Sequence, residues 1–592
     1  MTALATRGVP TQRTPAQVTP EPAPQAPRTL VRLRPIVHAT PTAQGVHVRG
    51  WSSSFTVKGG SGLWKLWQIL SARLIEGLPT EQVVAPTGRP EVVRAVTVLL
   101  EQLREHDMLV DLPVGWVDGT DPAAPPADVC AWLSSVAADP ADAWRRLRTT
   151  PVRLTGAGPV AEAAARALAG IGVDVVSGAL PPAAQGVTDL VLSTDAGIAV
   201  AARCRGEVGM VVPVSAADSV LWSAREVTRR LAGTADPSAA PYALSALVGS
   251  AAAHRLVCAV AGLADPAVEA AELHDEDQQP APARLEHPAV LVARLDPLSL
   301  TYHPFLAAAA PAAAPPDTAD EALRRIEALV DAELGPLAEP VAGSLPQVPA
   351  ALAAADGVVG MGASTDAARL DAVLRQAETV LAGGDAGHFA VGVHDRHAHG
   401  TALRRLADAA IEELATTPVA DDEWTGSPAA RRWWKALTLR FGQPAWVHVR
   451  RLAPDAVHAQ IACGGEVVAW AVEARTADAV AFAALAAVGA AQAREAGRDL
   501  PGGPVTLSGA APAWRPAGED VTPWSDGWHW PAGVDQGEDR LQAALAALPP
   551  VARATVWRLG TLSSAEDGMT EQAAQLRQAL SAVGFTVVRW AS

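Results

Sequence analysis

Two glycines in the middle of the chain have a spacing that could serve a nucleotide. Gly156 and Gly158 follow a short apolar run and precede a helix-forming stretch. Such glycines permit a tight turn that directs a helix N-terminus toward a phosphate. The second strand, however, ends "VDVVSG" (173–178) without an acidic residue to hold a ribose. The pattern therefore indicates a nucleotide-binding scaffold whose chemistry is incomplete.

A second pattern lies in "STDAARLDAVLRQAETV" (364–380), which reads as a helix opened by a serine. Positions three residues apart share one helix face, and two carboxylates placed so can bind magnesium together. The stretch resembles a metal-ligand helix of YcaO enzymes, and that resemblance places Glu378 at one of the two carboxylate positions and Arg375 at the other. A positive charge there opposes a metal ion, so this helix is not expected to bind one.

A third cluster is the histidine-rich stretch "HFAVGVHDRHAHG". Imidazoles and a carboxylate can bind zinc, but histidines also crowd in loops without sharing a ligand. The four cysteines (130, 204, 258 and 463) lie far apart and form no CxxC pair. We expect no metal site, and the role of the cluster stays open. Its members are His388, His394, Asp395, His397 and His399.

Composition limits the partners of the chain. Its 592 residues are too many for a single hydrophobic core, so several domains are expected. Its net charge of −16 argues against binding to nucleic acid or to anionic membranes. No apolar run is long enough to predict a membrane span, and the scattered cysteines fit a reducing cytoplasm. We expect a cytoplasmic protein.

Breaker-rich stretches predict the domain organisation. Residues 1–28 are rich in Pro, Thr and Gln and are expected to be a disordered tail. We predict a first domain at 29–115 and a linker with a helical connector at 116–150. An α/β domain at 151–306 and a last α+β domain at 321–592 follow.

The first domain has the pattern of a winged helix. Extended segments are predicted at "RPIVHAT", "GVHVRG" and "SSFTVKG", and helices near 61–76, 80–85 and 90–107. The last helix carries few bases, Arg94 and Arg104, diluted by acidic residues, so phosphate contacts would be scarce. Peptide binding by strand addition is favoured over DNA binding, and a dimerisation module is the structural alternative.

This arrangement, with "LWKLWQILSARLIEGLPTEQVV", resembles the recognition element of ribosomally synthesised, post-translationally modified peptide (RiPP) pathways. That resemblance implies capture of a precursor's leader peptide on the edge of the third strand, against the third helix. The implied leader-binding residues are Phe55, Thr56, Val57, Lys58, Val93, Arg94, Thr97 and Arg104.

The later regions carry two further resemblances. "TDLVLSTDAG", "ALVGSAAAHRLVCAVAGLADP" and "VLVARLDPLSLTYHPF" are similar to ThiF-like proteins of azole biosynthesis, with Gly156, Gly158 and Asp195 as a vestigial nucleotide site. The 364–380 helix resembles a YcaO ligand helix. "DAVAFAALAAVGAAQAR" is similar to a second one, with Ala487 and Ala490 where Glu and Gln are expected. The expected fold is a multidomain α/β chain: a winged helix, a ThiF-like Rossmann-type domain and a degenerate YcaO-like α+β domain.

Together the chain resembles the ocin-ThiF-like F proteins of thiopeptide and related pathways. The resemblance implies a partner that catalyses nothing alone, binds the leader peptide, and delivers the precursor to a separate YcaO cyclodehydratase. It implies no cofactor and no zinc, with ATP used by the partner enzyme; a homodimer is a further arrangement. Two alternatives stay open: an ATP-dependent peptide-adenylating enzyme using Asp195, and a winged-helix regulator.

Overall fold

The fold is described from a computed structural model. It describes residues 29–51, 53–60, 62–79, 90–231, 239–268, 287–306, 312–317, 319–383, 388–498, 500, 503–510, 534–559 and 570–591. The predicted tail (1–28) and the predicted helix at 80–85 lie outside the described residues. The chain divides into two compact units. Unit 1 comprises Met1–Thr150 with Gly170–Val173 and Val260–Leu263, and unit 2 comprises Pro151–Ala169, Asp174–Ala259 and Ala264–Ser592.

The described residues of unit 1 form two small antiparallel sheets and five helices. Its strands are β1 (Thr29–Leu33), β2 (His38–Thr42), β3 (Gly45–Arg49), β4 (Ser54–Lys58), β5 (Leu78–Pro79) and β6 (Leu109–Pro113). Its helices are α1 (Gly62–Glu76), α2 (Pro90–Glu105), α3 (Val114–Val117), α4 (Ala127–Val136) and α5 (Pro140–Thr149). One sheet has the order β5-β1-β6 and the other the order β2-β3-β4. The predicted strands at β3 and β4 and the helices α1 and α2 are confirmed, whereas β1, β5 and β6 were not predicted.

Helix α1 forms because its apolar residues recur at helical spacing. The buried residues Leu63, Trp67, Leu70 and Leu74 fall on one face, and they pack in a core with residues of β3 and β4. Helix α2 buries Leu99, Leu100 and Leu103 in the same core. The hairpin β3–β4 is therefore supported from one side by both helices.

A buried arginine joins the connector to the rest of unit 1. Arg34 is 3% exposed, and its Nη1 donates to the carbonyl oxygens of Ser134 and Ala137 at the end of α4, both at 2.9 Å. Its Nε and Nη2 donate to the carbonyl oxygen and carboxylate of Asp107, each at 2.8 Å. One side chain thus ties the turn after α2 to α4, because a buried guanidinium must satisfy all its donors.

Unit 2 begins with an eight-stranded sheet. Its strands are β7 (Val152–Gly156), β8 (Val175–Gly178), β9 (Leu190–Thr194), β10 (Ile198–Arg205), β11 (Val208–Val211), β12 (Ser215–Ala216), β13 (Ala289–Leu295) and β14 (Leu298–Pro304). The order is β14-β13-β11-β10-β9-β7-β8, with β12 beside β10. The helices of this region are α6 (Pro159–Ile171), α7 (Ala217–Leu231) and α8 (Tyr242–Ala261).

The direction of these strands differs from the predicted Rossmann-type sheet. Within the sheet as described, only β7 and β8 pair in parallel, across the helix α6. Strands β9, β10 and β11 pair antiparallel, because short turns containing Gly197 and Gly206 connect them where the parallel arrangement would need helices. The crossover pattern was correct for β7–α6–β8 and wrong for the strands that follow.

The strands described in the last region are β15 (Ala351–Ala355), β16 (Val358–Gly362), β17 (His388–Gly392), β18 (Thr417–Pro418), β19 (Ala445–Ala453), β20 (Ala456–Cys463), β21 (Glu466–Glu473), β22 (Val505–Thr506), β23 (Thr555–Arg558) and β24 (Thr586–Ala591). Its helices are α9 (Ala319–Val330), α10 (Thr365–Ala382), α11 (Asp395–Ala409), α12 (Asp422–Thr425), α13 (Pro428–Lys435), α14 (Thr476–Glu495), α15 (Val534–Ala546), α16 (Pro549–Arg553) and α17 (Glu571–Ala582), with a π-helical turn at Ala436–Arg440. The sheets are β15-β16, β17-β24-β23 and β18-β19-β20-β21-β22.

Two described helices, α8 and α14, are long and apolar enough to cross a membrane by length and composition alone. Of the apolar window of α14, 94% is buried inside the fold, against 56% for α8. Helix α14 packs against β20 and β21 in the largest core of the region, and that packing accounts for its alanine-rich sequence.

Candidate functional site

Strand β4 lies at the edge of its sheet. It pairs with β3 on one side, and no described element pairs with it on the other. Two hydrogen bonds fix the pairing: Gly50 N–H donates to the Ser53 carbonyl at 2.9 Å, and Gly59 N–H donates to the Gln44 carbonyl at 2.8 Å. Bonded and non-bonded residue pairs alternate along an antiparallel ladder, so every second pair between these two bonds is hydrogen-bonded.

This register sets which backbone groups of β4 face outward. The backbone groups of Phe55 and Val57 are used by β3, whereas the N–H and C=O groups of Ser54, Thr56 and Lys58 point to the open edge. Among the described residues nothing bonds these outward groups. They form a ready row of donors and acceptors for an added extended chain.

The side chains of β4 alternate between two faces. Phe55 is buried at 8% exposure, and Val57 is half-buried against the same core. Thr56 and Lys58 are exposed on the other face. Phe55 therefore holds the strand in place, and of the four predicted β4 residues only Val57 presents an accessible apolar surface beside the edge.

The predicted residues of α2 lie on its more exposed half. Val93 and Thr97 are half-buried, with the Thr97 hydroxyl donating to the Val93 carbonyl at 3.0 Å, and Arg94 and Arg104 are exposed. The structure joins β4 to the other end of this helix: the Phe55 ring stacks on the imidazole of His106, with 4.8 Å between ring centroids. His106 was not among the predicted site residues, because it lies just after the apolar pattern that predicted α2.

The two glycines of the predicted vestigial nucleotide site differ in their surroundings. Gly156 has φ +145°, and a Cβ there would approach the carbonyl oxygen of Asp189 to 2.4 Å, so the neighbouring strand requires glycine. Gly158 has φ +85° with open space beside it. Asp195 lies in the turn between β9 and β10 with a largely exposed side chain, 3.6 Å from Arg153 Nη2. Among the described residues, no cluster of positive charge lies beside Asp195, and these residues do not fit a metal–phosphate site.

In the last region, two carboxylates of α10, those of Asp371 and Glu378, are engaged by arginines. Arg375 Nε donates to Asp371 Oδ2 at 2.7 Å, and Arg375 Nη2 donates to the Thr506 carbonyl at 2.7 Å. Arg405 Nη2 donates to Glu378 Oε2 at 2.8 Å, and Val391 N–H donates to Glu378 Oε1 at 3.1 Å. Since Asp371 and Glu378 already have guanidinium partners, these two residues do not fit magnesium.

Beside these pairs lies a buried triad. Arg404 Nη2 donates to Glu538 Oε2 at 2.6 Å and to Glu473 Oε2 at 2.9 Å, and all three side chains are nearly inaccessible. Burial raises the pKa of Glu473 to about 7. For Glu538, burial acts to raise the pKa, but the charge of Arg404, its hydrogen bond and that of Gln542, and the charge of Arg396 together outweigh burial, and the pKa is lowered. The triad could not be predicted from the sequence, because Glu473 and Glu538 lie 69 and 134 residues after Arg404.

A cavity of about 120 Å³ adjoins the ion pairs, and a second of about 410 Å³ shares some of its lining. The first cavity is lined by apolar side chains such as Phe482 and Leu485 of α14 and by the paired residues of α10. The side chains at Ala487 and Ala490 are buried and carry no polar group. The space is apolar with a rim of neutralised charges.

The clustered histidines serve local structure. His394 Nδ1 accepts from the His397 N–H at 3.0 Å at the start of α11, and His388 stacks on Trp590. Burial lowers the pKa of His397 to about 3, which keeps this imidazole neutral. Asp395 accepts from the Thr586 hydroxyl and from Arg558. Within the described part of the chain, no group of three or more His, Cys, Asp or Glu residues could hold a metal ion.

Comparison with known proteins gives distant structural similarity. No family model matches the chain, and no curated protein matches it. A solved heterocyclase in complex with substrate and cofactor is 13% identical, with a TM-score of 0.49 over 95% of this chain and 94% of that chain. The heterocyclase TruD is 13% identical, with a TM-score of 0.47 over the same shares. E. coli MccB with ATP is 10% identical, with a TM-score of 0.30 over 46% of this chain and 96% of that chain.

Proposed function

We propose that the chain is a non-catalytic leader-peptide-binding partner, an F protein of an azoline-forming RiPP pathway, that delivers a ribosomal precursor to a separate YcaO cyclodehydratase. The observation that supports it most is the open edge of β4, where the backbone groups of Ser54, Thr56 and Lys58 face outward. A leader peptide would add as a strand, and its alternate apolar side chains would lie beside Val57 and the exposed half of α2.

Two features support a role without chemistry of its own. The ion pairs of Arg375 and Arg405 occupy the carboxylates that a magnesium ion would need. Asp195 is exposed in a turn, and no basic cluster surrounds it in the part of the chain that the structure describes. ATP would accordingly be used by the partner enzyme, and the whole assembly would work in the cytoplasm.

Delivery would act through effective concentration. A leader held at micromolar affinity corresponds to about −8 kcal/mol. Once it is bound, cyclisation of the following Cys, Ser or Thr residues becomes quasi-intramolecular. The degenerate last region would then pair with an active YcaO subunit. A cyclodehydratase mixed with the precursor should turn over faster when this chain is added.

The edge assignment is tested by removing one backbone donor. Thr56→Pro deletes the outward N–H of Thr56 and spares the bonds to β3, because proline is tolerated on the open side of an edge strand. We expect leader affinity, measured by fluorescence anisotropy, to fall about tenfold or more. Thr56→Ser, which keeps both the N–H and the hydroxyl, should bind like the wild type. Equal binding by the two variants would refute the edge assignment.

A further inference from the structure

The outward face of the β2–β3–β4 sheet is basic in an acidic protein. Residues directly opposite one another across neighbouring strands share a face, and the pairings place nine residues on this one. Four are basic or imidazole side chains, four carry hydroxyls, one is glycine, and none is acidic. They are His38, Arg49, Lys58, His47, Thr40, Thr42, Ser54, Thr56 and Gly45.

This face is accessible and continuous with the open edge. Arg49, Lys58 and His38 are exposed, and His47 Nδ1 lies 2.9 Å from the Thr56 hydroxyl oxygen. Lys58 is one of only three lysines in a chain with a net charge of −16. A local surplus of positive charge on such a chain favours an acidic ligand at this face over the rest of the surface.

An added strand would divide its side chains between the two faces of the sheet. Ligand residues opposite Ser54, Thr56 and Lys58 would lie on the basic face, because paired residues point the same way. The residues between them would lie on the core face, beside Val57. The edge and the face together therefore favour a ligand in which acidic side chains, over the basic face, alternate with apolar side chains beside Val57.

We propose that this sheet recognises an extended peptide that alternates apolar and acidic residues, with the acidic side chains lying over Arg49, Lys58 and the two imidazoles. This inference rests on the proposed function and specifies its ligand. Arg49 and Lys58 carry the permanent positive charge. His47 and Thr56, which lie between these two residues on the face, would donate hydrogen bonds to the ligand or accept them from it.

A single-stranded nucleic acid is the competing class of ligand. It would need several phosphate contacts and stacking platforms for its bases. The nine residues of the face include no aromatic side chain other than the two imidazoles, and the exposed Trp51 lies beyond the end of β3. The alternation imposed by the strand edge suits a peptide backbone, which supplies a donor and an acceptor at every second residue.

The test uses the full chain and two short fluorescent peptides, one alternating leucine with glutamate and one alternating leucine with glutamine. The wild type should bind the glutamate peptide about tenfold more tightly. The double variant R49E/K58E should lose that preference. The matched double variant K65E/R73E, which reverses two exposed charges on α1, should keep it.

The outcomes separate the inference from the function beneath it. Equal binding of both peptides to the wild type would overturn the charge selection and leave the peptide edge standing. Binding of neither peptide would count against both. A fluorescent oligouridylate that binds in low salt and is lost in R49E/K58E would assign the face to nucleic acid and overturn the inference.

Discussion

The phenyl ring of Phe55 stacks on the imidazole of His106, with 4.8 Å between ring centroids and 19° between ring planes. Ser53 reinforces this contact, since its hydroxyl donates to the His106 carbonyl at 3.0 Å. The beginning of β4 is thus fixed to the end of α2, and the rest of β4 presents its open edge from a supported position.

Truncation of the stacked ring should unfold unit 1 without acting on the ligand directly. Phe55→Ala removes a side chain that is 8% exposed, and such changes cost about 3–5 kcal/mol. Hydrogen exchange should rise across β3, β4 and α2 in this variant. Thr56→Ala, at the exposed neighbouring position, should leave exchange unchanged. Unaltered exchange in Phe55→Ala would contradict the structural role of the ring.

A carboxylate introduced beside the open edge should abolish leader binding. Val57→Asp places a charge where an apolar ligand side chain would pack, and its desolvation opposes binding. Hydrogen exchange of unit 2 should stay as in the wild type. Val176→Asp makes the same change on the exposed edge strand β8, and it should bind the leader normally. Normal binding by Val57→Asp would move the site away from β4.

Removal of the central guanidinium of the buried triad should destabilise unit 2. Arg404→Met leaves Glu473 and Glu538 buried without a counter-charge, which costs about 3–5 kcal/mol. The measurement is the urea midpoint. Adding Glu473→Gln and Glu538→Gln to Arg404→Met should recover most of the loss. Arg553→Met, at an exposed arginine, is the control and should leave the midpoint unchanged.

Glu473 should make stability depend on pH in a defined window. Burial raises its pKa to about 7, while a glutamate in an unfolded chain titrates near about 4.3. Between these values the folded protein binds more protons than the unfolded chain, so stability falls as pH rises, by up to about 1.4 kcal/mol per pH unit. Glu473→Gln should flatten this decline, and Glu412→Gln, at an exposed residue, should not. A wild-type curve that rises through the window would contradict the assignment.

Magnesium and ATP should leave thermal stability unchanged. A ligand that binds the folded state at about one hundred times its dissociation constant adds about 2.7 kcal/mol, enough to raise Tm by several degrees. Because Asp371 and Glu378 are occupied by Arg375 and Arg405, we expect no shift in differential scanning fluorimetry. A rise of several degrees would show that the cavity or the Gly158 turn still accepts a nucleotide.

Sequence patterns predicted the elements with strong periodicity and failed where long-range packing decides. The spacing of Leu63, Trp67, Leu70 and Leu74 was enough to predict α1, since residues that recur every three or four positions fall on one face of a helix. Strand β10 was missed because its alanines carry little strand signal, although the sheet buries most of it. The directions of β9–β11 depended on short turns that the crossover pattern did not weigh.

The candidate site was predicted in part. The edge of β4 followed from alternation and from the Gly-Gly end of the strand, but the burial of Phe55 depended on its contact with His106. Arg375 stands where the resemblance to a YcaO ligand helix predicts a carboxylate, and this was visible in the sequence. Its partners Asp371 and Thr506, and the triad around Arg404, depend on contacts across the fold that no local spacing reveals.

The most direct measurement is titration of the purified chain into a fluorescent leader peptide encoded beside its gene, with and without ATP. We predict tight binding that is indifferent to ATP and that is about tenfold or more weaker in Thr56→Pro. An absence of binding, or binding that requires ATP, would contradict a recognition partner and favour an adenylating enzyme or a regulator.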